Sequence, residues 1–168
     1  MHIDLYAGDP EPAWERVRRI WPLLERVMLL RVEEVQVYMN EIRARVAMAL
    51  AARTQNNKPY LAEVERVARL LASKHVPWCP AMANLLRAQL ASLAGDHQRE
   101  LELLTAAQVR FEESQIVPYA MVSRLRRGVL LGGAEGRAHV VAAQSWAHTE
   151  HVANLDGFTR MLAPAFAG

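Results

Sequence analysis

The chain has 168 residues, 52% hydrophobic and 23% charged, a balance that suits one folded domain and excludes a disordered polymer. Its net charge of +2 is spread along the sequence, nine basic and eight acidic residues falling in positions 1–60 and eleven and ten in the rest, so no basic arm or block points to nucleic acid. A single cysteine, Cys79, excludes an internal disulfide framework and suits a reducing cytoplasm, Met1 leads into Asp4 and Asp9 with no leader pattern, and no apolar run approaches the roughly 18–20 residues of a membrane span.

Leu5-Tyr6-Ala7-Gly8-Asp9 carries the chemistry of a turn between helices. Gly8 suits a left-handed helix end, Asp9 an N-cap and Pro10 the first helical position. A helix through Trp14, Val17 and Ile20 follows. Residues 1–30 therefore read as a half repeat whose first helix lies upstream. Trp21-Pro22 predicts a kink or restart, because proline removes one intrahelical bond and disfavours helical geometry in the residue before it. Leu23, Leu24, Val27 and Met28 are expected to continue the apolar surface. A long helix is expected from about Arg31 to Arg53, with Val32, Val35, Met39, Ile42, Val46 and Leu50 inward. Thr54 to Pro59, TQNNKP, is a turn of helix-breaking residues. Leu61, Val64, Val67, Ala68 and Leu71 mark the partner helix.

The clearest hairpin runs from Met82 to Phe111. Met82, Leu85, Leu86, Leu90 and Leu93 recur at spacings of three and four, which puts them on one helical face. Gly95 ends that helix and Asp96 is expected to cap the next, whose apolar face is Leu101, Leu104, Val109 and Phe111. After Pro118 a helix carries Met121, Leu125 and Val129 and stops at Gly132-Gly133. A last pair is expected at about Ala134–Val152 and Asp156–Leu162, before Pro164.

The turns near Gly8, Arg53, Gly95 and Gly132 are 45, 42 and 37 residues apart, and Val117-Pro118-Tyr119 echoes Val76-Pro77-Trp78 at an offset of 41. Helix-pair repeats have periods of about 34 to 47 residues. No segment alternates like a strand. The expected fold is all-α: tandem antiparallel helix hairpins stacked as a short tetratricopeptide-like α-solenoid. It forms one domain over 1–168, with helix pairs at about 31–75, 78–115 and 117–152 and a capping helix at about 155–163.

Several stretches carry a family pattern: Asp4-Leu5-Tyr6-Ala7-Gly8-Asp9, Ala13-Trp14, Trp21-Pro22, Leu29-Leu30-Arg31-Val32, Leu85-Leu86-Arg87-Ala88, Ala94-Gly95-Asp96, Arg126-Arg127-Gly128 with Leu131-Gly132-Gly133, and Arg160-Met161-Leu162-Ala163-Pro164. Together they resemble the C-terminal tetratricopeptide-like region of large bacterial serine/threonine protein kinases of the myxobacterial type. The resemblance implies a helical regulatory part downstream of a kinase domain and an ATPase module. This chain itself carries no Gly-rich loop, no His-Arg-Asp or Asp-Phe-Gly motif and no Walker A motif, so it is not expected to be an enzyme. Asn84, Arg87 and Ala91 stand where strict tetratricopeptide units place Trp, Leu and Tyr, so the well-studied type of peptide groove is not expected.

Candidate chemistry is sparse. His148 and His151 lie three apart beside Glu150, but His139 is out of phase with them, and a solvated face outweighs a metal site. Pro77 spoils one-face geometry for His75 and Cys79. Arg124, Arg126 and Arg127 form the one compact basic cluster, which suits pairing with nearby carboxylates better than a phosphate contact. Trp14, Trp21, Trp78 and Trp146 are spread as knobs between helix layers. No serine sits in a nucleophile elbow. No catalytic residue, cofactor or metal is expected. The expected function is a protein–protein interaction or scaffold module, its partner another protein or peptide, or upstream domains of the same polypeptide, with neither nucleic acid nor membrane engaged. Repeat geometry assigns partner contacts to Asn40, Arg43, Gln89 and Arg126. The alternatives are a capping segment with no external partner and a helical small-ligand sensor, the latter requiring a pocket with converging polar groups.

Overall fold

The computed structural model describes residues 1–166, and these contain nine α-helices, two 3-10 turns and no strand. The helices are α1 (His2–Ala7), α2 (Pro10–Arg26), α3 (Glu33–Arg53), α4 (Lys58–Ala72), α5 (Cys79–Leu93), α6 (His97–Glu113), α7 (Val117–Leu131), α8 (Gly133–Thr149) and α9 (Leu155–Leu162). Single 3-10 turns occupy Leu29–Arg31 and Pro164–Phe166. From α2 to α8 each helix packs against the next, as repeat stacking requires, and the expected pairs are α3/α4, α5/α6 and α7/α8. No helix of the described residues is long and apolar enough to cross a membrane.

Local chemistry explains the hairpins. Gly95 takes φ 73° and ends α5, and the Asp96 carboxylate accepts from the backbone N–H of Arg99 at 3.0 Å, capping α6. Asn154 caps α9 in the same way through Gly157 N–H. Asp9 differs: its carboxylate caps nothing, and Pro10 alone marks the start of α2. Residues 2–7 are helical, so a short helix precedes α2 where none was expected. Arg53 and Arg160 donate to the carbonyls of Gly8 and Tyr6 at its C-terminal end, satisfying groups that a six-residue helix leaves open.

Two expectations about α2 are corrected. The helix runs through Pro22 with no restart, Pro22 lying on its exposed outer third, where no packed neighbour forces a break at the missing bond. That outer third also fails to bury its apolar residues: Leu23, Val27 and Met28 are exposed, and α2 is anchored by Ala13 and Val17 alone among its aliphatic side chains. Val32, expected inward, is exposed as well.

α3 is the central element. From Asn40 to Ala51 nearly every side chain is buried, so it has no solvent face there. Ala44, Ala47, Ala49 and Ala51 let neighbours approach on several sides at once. One side faces Leu5, Ala13 and Val17 in a small core, and the other joins the main core with Val64, Leu71, Leu85, Leu104 and Phe111. Where α7 crosses α8, Gly128 and Gly136 meet: a Cβ on Gly136 would lie 2.4 Å from the Gly128 carbonyl oxygen.

The C-terminal segment departs from the expected end cap. α9 packs mainly on α1, and the turn at Pro164–Phe166 lies on α3 and α5, with a lesser contact from α9 to α7. The chain therefore returns across the inner layer formed by α3, α5 and α7. Tyr6 fits directly against Gly157, where a Cβ would come within 3.0 Å of its ring.

Candidate functional site

The four residues expected to contact a partner separate into two places. Gln89 is fully buried on α5, and its Oε1 accepts from the backbone N–H of Ala165 at 3.2 Å. Arg126 on α7 donates to buried Glu100 at 2.6 Å and to Ser92 at 3.0 Å, and its guanidinium lies 5.2 Å from the Phe166 ring centre. These two grip the chain's own C-terminal turn. Asn40 and Arg43 sit apart from them: Asn40 is buried, donating to the Gln36 carbonyl and accepting from Arg66, while Arg43 pairs with Glu63 at 2.6 Å and stacks 4.2 Å over Trp21. They face α2 and α4, so the four do not form one surface.

The other candidates are engaged or exposed singly. Of the arginine cluster only Arg126 meets a carboxylate, Glu100; Arg124 donates to the His139 ring and Arg127 to the Gln108 side-chain oxygen, so the carboxylate pairing expected of all three holds for one. α8 ends at Thr149, one turn earlier than expected, and His151 follows it with φ 55°, so His148 and His151 do not share a helical face. No group of three His, Cys, Asp or Glu among the described residues could hold a metal. Cys79 is buried at the start of α5, and burial followed by the nearby Glu33 charge pushes its thiol up to about 11.

The strongest concentration of polar chemistry lies where no motif pointed. Glu41 and Arg45 occupy successive turns of α3 and are almost wholly buried, with side-chain exposures of 4% and 2%. Arg45 Nη2 donates to Glu41 Oε2 at 2.8 Å, and Nη1 donates to the Met161 carbonyl at 2.8 Å. Its Nε lies 2.5 Å from Glu41 Oε1, an ion-pair contact without the alignment of a hydrogen bond. Tyr119, stacked on Phe111, donates its hydroxyl to Glu41 Oε1 at 3.0 Å. Arg45 Nη2 also lies 2.9 Å from His2 Nε2. A guanidinium can only donate, so His2 Nε2 accepts and the ring proton sits on Nδ1.

The electrostatics are consistent. Burial opposes the Arg45 charge, but Glu41 and Tyr119 outweigh it and hold the guanidinium more firmly protonated than usual. Burial, then Glu41, drives the Tyr119 hydroxyl well above its ordinary range, so it remains a donor. Burial, then Arg45, lowers the His2 imidazole, which keeps it neutral.

This network forms one side of a cavity of about 350 Å³ bounded by α1, α3, α5, the start of α7 and α9. Trp78, Met82, Ile116, Met161 and Leu162 supply its largely apolar walls, and Tyr38 and His2 stand near its opening. Five elements distant in sequence converge there. An i, i+4 Glu-Arg pair on an apolar helix was the one sequence signal available: charges among Val, Ile and Ala at buried spacing must be paired. Comparisons with protein-family models, with curated proteins and with solved structures find no match for this chain.

Proposed function

We propose that this chain is a non-catalytic protein-interaction module whose inner layer, formed by α3, α5 and α7, accepts a short segment of polypeptide. One observation carries the reading: the chain's own Pro164–Phe166 turn is seated there, with a backbone N–H received by Gln89 and an aromatic ring under Arg126. A surface that already binds a backbone donor and an aromatic side chain has the chemistry to bind an equivalent segment from a partner. The setting we propose, the regulatory part of a multidomain signalling serine/threonine kinase, is supported by the sequence resemblance. In the test, a fluorescent peptide spanning residues 155–168 is titrated into the full chain and into its Phe166→Ala variant. Weakening the resident turn should let the peptide bind the variant at least tenfold more tightly than the parent chain. Equal affinity, or none, refutes the reading.

A second reading, packing within a longer polypeptide, is favoured by the distribution of exposed apolar side chains. Seven of the twelve large exposed ones fall between Ile3 and Tyr38. Attaching further sequence ahead of Met1 should then raise the melting temperature.

A further inference from the structure

We infer that the cavity between α3, α5, α7 and α9 binds an uncharged two-ring aromatic molecule that carries a carbonyl acceptor. This goes beyond the peptide-binding reading and uses different residues. Size sets the ring count. An apolar cavity of about 150 Å³ holds one benzene, so about 350 Å³ accommodates two fused rings with a short substituent.

The polar groups set the rest. Both oxygens of Glu41 are already engaged, Oε1 by the Tyr119 hydroxyl and Arg45 Nε, and Oε2 by Arg45 Nη2. The site therefore offers a ligand no free carboxylate, and a cation has nothing to pair with. The Arg45 charge is neutralised by Glu41 and its Nη atoms are engaged, so an anion would enter a low-dielectric site without a counter-ion. What remains are donors. His2 carries its proton on Nδ1, and neither the Trp78 indole N–H nor the Tyr38 hydroxyl has a hydrogen-bond partner among the described residues. Tyr38 is exposed and His2 and Trp78 are half-buried, so all three lie nearer the mouth than Met82 and Leu162, which lie deep. Aromatic and thioether side chains make favourable contacts with the face and edge of a ring. A flat apolar body inside and a carbonyl at the mouth match this order.

The full chain carrying ¹³C-methyl methionine tests it, with 2-acetylnaphthalene as the probe and Met82→Leu and Met161→Leu for assignment. Ring currents should move the Met82 and Met161 methyl signals with a Kd below about 1 mM, while Met28 and Met48, which do not line the cavity, stay still. Naphthalene, lacking the acceptor, should bind at least fivefold more weakly, and 2-naphthoate, which is charged, at least tenfold. Ile116→Trp should abolish binding while leaving the circular dichroism spectrum unchanged. No shift at Met82 and Met161 overturns the inference without reference to any variant. So does a response confined to other methionines, or 2-naphthoate binding as tightly as the ketone.

Discussion

Arg45→Met is the sharpest perturbation of this fold. Arg45 is 2% exposed and holds together three elements: Glu41 on its own helix, His2 on α1 and the Met161 carbonyl on α9. Removing it leaves the Glu41 carboxylate buried with Tyr119 as its only hydrogen-bond donor, and leaves the Met161 carbonyl without the guanidinium. Breaking a buried ion pair by deleting one partner costs about 3–5 kcal/mol. With a urea m-value of about 2 kcal/mol/M, the midpoint should fall by about 2 M. For a chain of this size the melting temperature should fall by about 10 °C. The double variant Glu41→Leu/Arg45→Met removes both charges and should recover most of the loss, because no uncompensated charge remains. Urea melts followed by circular dichroism and tryptophan fluorescence measure both variants. A single variant within about 1 kcal/mol of the parent, or a double variant no more stable than the single one, refutes the claim that this pair is buried and coupled.

Gly136→Ala should cost about 1–3 kcal/mol through overpacking, since its Cβ would meet the Gly128 backbone, which cannot rotate away; an unchanged melting temperature would mean that α7 and α8 do not approach so closely. Asp96→Ala should cost about 1 kcal/mol by uncapping α6, whereas Asp9→Ala should cost less than about half of that because its carboxylate caps nothing. The Cys79 thiol, buried and pushed up to about 11, should resist a thiol-specific disulfide reagent at pH 8 in the native chain and react at once in urea. Asp4, held down to about 2 by Arg16 first and then by the N-terminal amine, should titrate by carboxyl NMR well below an ordinary aspartate. Whatever stability it contributes is present above pH 4 and is lost as pH falls toward 2.

The helices themselves were legible because their signals are local. Gly95 and Asp96 ended one helix and opened the next for reasons contained in a few consecutive residues. The misreadings at Pro22 and Val32 have a shared cause. A proline is read as a break, and a valine as inward, on the assumption that neighbours press on both sides. Around residues 22–32 few do, so the helix tolerates the missing bond and the apolar side chains stay outside.

The cavity depends on contacts that span most of the chain. Arg45 reaches Met161 across 116 residues and Tyr119 reaches Glu41 across 78. Repeat reasoning orders each helix against its sequence neighbours, so it positions α9 beside α8 and leaves the inner layer open. In the fold α9 crosses to α1, and that single crossing turns an expected peptide surface into two things. Gln89 and Arg126 become clamps on the chain's own turn, and Glu41 and Arg45 become one wall of a cavity. The spacing of Glu41 and Arg45 announced that a charge pair was needed inside. Only the return of the C-terminal segment determines that the pair lines a cavity and does not face another layer of helices.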